Sequence, residues 1–126
     1  MYRPKTEKDI RCPLEYGLSV FGGKWKTRIL CLLASESPRR YSALAKDLCN
    51  VTDAVLSASL RELVADGMIS RVQYAEIPPR VEYELTEKGK SVLPILRSIG
   101  EWAGAFYRSQ ESGGPQCKQC DYREKE

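Results

Sequence analysis

The sequence predicts a mainly α fold with a small β-hairpin (α+β). Three observations predict it. Apolar residues recur at helical spacing in four successive segments between Cys12 and Gly67, with capping and stop residues at their ends. Strict apolar/polar alternation then takes over from Arg71 to Leu85. Helical spacing returns after Thr86 in a broad stripe that reaches Phe106.

The elements follow in order. Residues 1–11 are polar and read as a flexible arm. In "CPLEYGLSVFGG", Cys12 stands at a cap position, Pro13 at the first helical position and Glu15 in the first turn. Leu14, Leu18 and Phe21 share a face, and Gly22-Gly23 stops the helix. A second helix runs from about Lys24 to Ala34, with Trp25, Ile29, Leu32 and Leu33 as its apolar stripe. "SESPRR" reads as a turn. A short helix follows in "YSALAKDLCN", with Ser42 as its cap and Leu44, Ala45 and Leu48 facing inward. "NVT" is a tight break. Thr52 then caps a helix that Gly67 terminates, and Asp53 suits the positive end of its dipole. Leu56, Leu60 and Leu63 give that helix one buried face, opposite Asp53, Ala54, Ser57, Ala58 and Arg61.

In the alternating region, Val72 and Tyr74 share one side, and Val81, Tyr83 and Leu85 do likewise on a second strand. Pro78 and Pro79 cannot donate to a ladder, so they mark the tip of a two-stranded hairpin. Thr86 caps one long final helix, kinked at Pro94 and ending near Tyr107. The domain is therefore expected over residues 12–108, with a polar, mobile tail at 109–126.

The totals narrow the function. The chain has 126 residues and 42% hydrophobic content, which suits one domain with one core. It contains no apolar run long enough to span a membrane and no export signal at its start, so a cytoplasmic protein is expected. Net charge is +3, which permits an anionic partner without requiring one. Five cysteines and no histidine argue against a disulfide framework and remove the usual general base. No catalytic constellation is visible, and no cofactor or metal is expected.

Helices followed by a two-stranded hairpin form the winged helix-turn-helix order, in which the second helix of the turn enters a major groove. That helix must be buried on one side and short and polar on the other. Thr52, Asp53, Ala54, Ser57, Ala58 and Arg61 are the expected DNA-reading positions. Lys24, Lys26, Arg28 and Arg39 or Arg40 are candidate phosphate contacts. Arg80, beside the stiff prolines, is the candidate wing contact.

The blocks "CPLEYGLSVFGGKWKTRIL", "LRELVADGMISRVQYAEIPPRVEYELTEKG" and "LPILRSIGEWA" together resemble the HxlR family of winged-helix bacterial transcription regulators, over about residues 11 to 105. The resemblance implies a homodimer on double-stranded DNA, with the first and last helices at the dimer interface. It also implies, for some members, sensing of oxidants or electrophiles at the cysteine matching Cys12. An inverted-repeat operator with half-sites about 34 Å apart would then suit the twofold axis, and repression is the simplest outcome. Leu14, Leu18, Leu93, Leu96, Ile99, Trp102, Ala103 and Phe106 are the expected interface; packing of the last helix on the first within one chain is the competing reading.

The cysteines divide. Cys12 at a helix start lies near unpaired amides, which favours a thiolate, while Glu15 opposes this; it is either a sensor or a structural cap. Cys49 is either a turn residue or a disulfide partner for Cys12 across the dimer. Cys31 sits in the apolar "ILCLLA" and reads as core. "CKQC" at Cys117 and Cys120 reads as inert tail cysteines, a dithiol, or half of a zinc site shared by two tails. A winged-helix module that binds protein, and a small thiol-redox or zinc-binding protein, are the alternatives to a regulator.

Overall fold

The computed structural model describes residues 9–107, so the reading of the tail and of Cys117 and Cys120 lies outside the described residues. The helices are α1 (Pro13–Phe21), α2 (Lys24–Ser35), α3 (Tyr41–Leu48), α4 (Asp53–Ala65), α5 (Glu87–Ser91) and α6 (Leu93–Gly104). The strands are β1 (Arg39–Arg40), β2 (Ile69–Tyr74) and β3 (Arg80–Leu85). The sheet is antiparallel in the order β1-β3-β2.

The core sits where α2, α3 and α4 meet the root of the hairpin. Ile29, Leu30 and Leu33 of α2, Leu44 of α3, and Leu56, Leu60 and Leu63 of α4 are fully buried, and Ile69, Tyr83, Leu85 and Val92 close the cluster. Each such aliphatic side chain is worth about 1.5–3 kcal/mol of transfer from water. Burying Leu56, Leu60 and Leu63 fixes the rotation of α4 about its own axis and leaves its other side outward.

Local signals set the ends of α4. The Thr52 hydroxyl accepts from the Val55 N–H at 3.2 Å, and Gly67, at φ +76°, closes the helix in a conformation that favours glycine. The α3–α4 turn takes positive φ at Cys49 and Asn50, neither of them glycine. Thr86 caps α5 by accepting from the Gly89 N–H, and its hydroxyl donates to the Gly67 carbonyl at 2.6 Å. The end of α4 and the start of α5 are thus held together.

Four expectations need correction. The stretch read as a turn contains β1, which pairs with β3 through Arg39↔Tyr83 and Arg40↔Glu82, so the hairpin is part of a three-stranded sheet. The cap of α3 is Arg40, not Ser42; β1 runs directly into the helix and leaves no room for a separate cap. Leu30, absent from the expected α2 stripe, is fully buried. The long final helix is two helices that break at Val92, and Pro94 stands in the first turn of α6, where its missing N–H leaves no bond unmade.

Candidate nucleic-acid interface

The reading face follows from the burial of α4. Thr52, Asp53, Ala54 and Arg61 are exposed, while Ser57 and Ala58 are half-buried at its flank. Arg61 and Asp53 make no ion pair among the described residues. The Tyr41 hydroxyl reaches across the helix-turn-helix: it donates to Asp53 Oδ1 at 3.0 Å, and lies 3.5 Å from the Asp53 backbone carbonyl and 3.4 Å from Ser57 Oγ. The sequence reading missed Tyr41. Its only advance signal is a phenol at the start of the preceding helix, and a separation of 12 to 16 residues conceals the contact.

The cations expected at phosphate divide into free and engaged groups. Arg40 is exposed and unpaired among the described residues. Lys24 and Arg28 flank the Trp25 ring, at 5.0 and 4.8 Å from its centroid, and both are exposed. Lys26 is different: its side chain is only 14% exposed, and it pairs with Glu62 at 2.8 Å and donates to the Ser19 carbonyl at 3.3 Å. Arg39 is 10% exposed and held by Asp47 and by Glu36. Both are therefore bound within the monomer by acids that the sequence separates by 3 to 36 positions.

The wing also differs in detail. Arg80 opens β3 opposite Tyr74 and does not sit at the tip. Its guanidinium stacks on the Tyr74 ring at 4.0 Å and pairs with Glu76 at 3.2 Å. Glu82 stands 3.5 Å from its Nε, close enough for ion pairing but without an aligned hydrogen bond. Arg80 thus braces the two strands. Ile77, beside Pro78 and Pro79, is fully exposed. Arg71 on β2 is exposed and unpaired among the described residues, so it is the free cation of the hairpin.

The expected dimer stripe resolves into two parts. Leu93 and Leu96 pack partly against the protein's own core, and Ala103 is half-buried. Leu14 and Leu18 on α1, Ile99 and Trp102 on α6, and Phe106 just beyond it are exposed. The Trp102 and Phe106 rings contact each other, with centroids 5.7 Å apart, yet remain 69% and 78% exposed. Apolar exposure on this scale is unusual for a monomer surface.

Helix α1 buries only Val20 fully, and polar ties link it to α4. Lys26 joins the Ser19 carbonyl of α1 to Glu62 of α4. Lys88 joins the Tyr16 hydroxyl of α1, at 2.9 Å, to the carbonyl of Asp66 that caps α4, at 2.8 Å. Cys12 is the exposed N-cap of α1, and its side chain makes no capping bond. Cys49 is exposed at the end of α3, with Sγ 3.6 Å from the Lys46 carbonyl. Cys31 is half-buried in α2. No cluster of three metal-ligating side chains occurs among the described residues, and no described helix is long and apolar enough to cross a membrane.

Known proteins share this arrangement. A family model described as HxlR-like helix-turn-helix matches residues 20–111. An HTH-type transcriptional regulator of Methanothermobacter thermautotrophicus is 44% identical over 108 residues, covering 86% of this chain and 82% of its own length. The crystal structure of the HTH-type transcriptional regulator ytcD superposes with a TM-score of 0.71 at 42% identity, over 75% of this chain and 96% of that one. The redox regulator HypR in its oxidized form does so with a TM-score of 0.69 at 36% identity, over 76% and 98%. With its winged fold, its outward α4 face and relatives that regulate transcription, the chain belongs to the HxlR family of DNA-binding helix-turn-helix transcription regulators.

Proposed function

We propose that the protein is a homodimeric repressor that binds an inverted-repeat operator, with α4 of each protomer in a major groove. The observation that carries this is the one-sided burial of α4: three leucines hold it to the core while Asp53, Ala54 and Arg61 face outward. Arg61 and Ser57 contact base edges. Lys24, Arg28, Arg40 and Arg71 meet phosphates, and Ile77 with its two prolines lies against the neighbouring groove. Lys26, Arg39 and Arg80 hold the scaffold and are left out of the phosphate set because each has an acidic partner of its own. The exposed faces of α1 and α6 pair with their symmetry mates, which covers Leu14, Leu18, Ile99, Trp102 and Phe106. The protein works in the cytoplasm, where its operator is accessible.

The regulator responds to thiol-reactive compounds through Cys12. Support comes from its exposure, from its place at the start of α1, and from the likeness to a protein described as a redox regulator. An oxidant such as diamide takes two electrons and two protons from Cys12 and from Cys49 of the partner subunit, forming one disulfide and the reduced hydrazine. Movement of α1 then reaches α4 through the Lys26 and Lys88 ties. Selection of a duplex from a random DNA pool, with and without diamide, tests both parts. The expected result is an inverted repeat whose binding changes on oxidation in the native protein and not in Cys12→Ser. Absence of any enriched sequence contradicts the first part, and an unaltered diamide response in Cys12→Ser contradicts the second.

A further inference from the structure

We infer that Tyr41 is a positioning residue that fixes the hydrogen-bonding polarity of the reading face, so that α4 selects bases carrying an exocyclic amine near its N-terminus. The inference rests on the DNA-reading role of α4 proposed above.

One proton sets the polarity of this corner. A tyrosine hydroxyl has a single hydrogen to donate and lone pairs with which to accept. An ionised carboxylate only accepts. At 3.0 Å from Asp53 Oδ1, the Tyr41 hydroxyl therefore gives its proton to Asp53. Its contact with Ser57 Oγ at 3.4 Å must run the other way, with Ser57 donating and Tyr41 accepting. Asp53 Oδ2 and the lone pairs of Ser57 are then what this corner of the helix turns to a ligand, and all of them are acceptors.

Asp53 and Ser57 are one helical turn apart on one side of α4, and the ring of Tyr41 packs against the core, so the hydroxyl is held in place. No cation among the described residues pairs with Asp53. An exposed carboxylate is repelled by phosphates, and it suits a groove only where it meets donors. In the major groove those donors are the amines of cytosine N4 and adenine N6, whereas guanine O6 and N7 and thymine O4 are acceptors that this corner rejects. Without the Tyr41 hydroxyl, Ser57 is free to turn its proton outward and Asp53 to rotate, and the discrimination is lost.

The test compares native protein with Tyr41→Phe, which keeps the ring and removes only the hydroxyl. Each is used to select duplexes from the same random pool, and each base of the native operator is then varied in a binding titration. The native operator is expected to hold cytosine or adenine at one position per half-site, whose replacement weakens binding about tenfold. In Tyr41→Phe that penalty falls to about threefold or less, while penalties at positions read by Arg61 stay as they were. In a Tyr41→Phe/Asp53→Asn pair, the second change adds little to the first. A Tyr41→Phe profile matching the native one at every position overturns the inference, as does a native operator without an amine-bearing base at any fixed position. A native protein that enriches no sequence overturns the DNA-reading proposal itself, and the inference with it.

Discussion

Replacing Trp102 with alanine should separate the proposed dimer without unfolding the monomer. Trp102 is 69% exposed in the single chain, and a large aromatic side chain offers about 200 Å². Covering that exposed share removes about 140 Å² per protomer, or about 3.5 kcal/mol at about 25 cal/mol per Å². A twofold interface counts the residue twice. Alanine retains part of the area and the remaining groups settle into the gap, so a loss of about 2 kcal/mol per copy is the conservative figure, about 4 kcal/mol for the pair. That weakens dimerisation about 1,000-fold. Sedimentation equilibrium over nanomolar to micromolar protein reads this directly. Trp102 is not among the buried core residues, so helical circular dichroism should be unchanged. A variant whose dimer constant stays within about tenfold of the native value would place Trp102 outside the interface, because so large an apolar loss at an interface cannot cost so little.

Other substitutions probe separate parts of the account. Arg61→Ala should cost about 1–3 kcal/mol of operator affinity and relax the preference at one base position, read by competition binding against operator variants. Arg80→Ala should leave the salt dependence of DNA binding nearly unchanged, with a change in slope well below one, because Arg80 already has two acidic partners. Leu56→Ala, at a fully buried site beneath the reading face, should lower stability by about 2–5 kcal/mol in urea unfolding. Gly89→Ala should also destabilise the fold, by about 1–3 kcal/mol in the same assay, because a Cβ there runs into the Met68 carbonyl.

The parts of the fold that were legible in the sequence are those governed by local rules. The one-sided leucines of α4, its Thr52 cap and its Gly67 stop lie within a single stretch, and periodicity reads them directly. The hairpin strands were legible for the same reason. Strand β1 was not, because two residues after a proline carry no alternation, and only pairing with β3, more than 40 residues on, makes them a strand. The break at Val92 was concealed because the apolar spacing continues across it. At the site, the outward positions of α4 were readable, but the partners of Lys26, Arg39 and Arg80 were not. A sequence presents every cation alike, and only the fold shows which ones already face a carboxylate. Tyr41 lies at the same limit: its hydroxyl acquires meaning only when α3 and α4 cross.

Hydroxyl-radical footprinting of the native protein on its selected duplex shows whether two α4 helices read one side of the DNA. Two α4 helices related by a twofold axis should protect two patches on one side of the DNA, with centres about 10–10.5 base pairs apart or a multiple of that spacing. A single protected patch, or two patches on opposite sides of the duplex, would contradict the account.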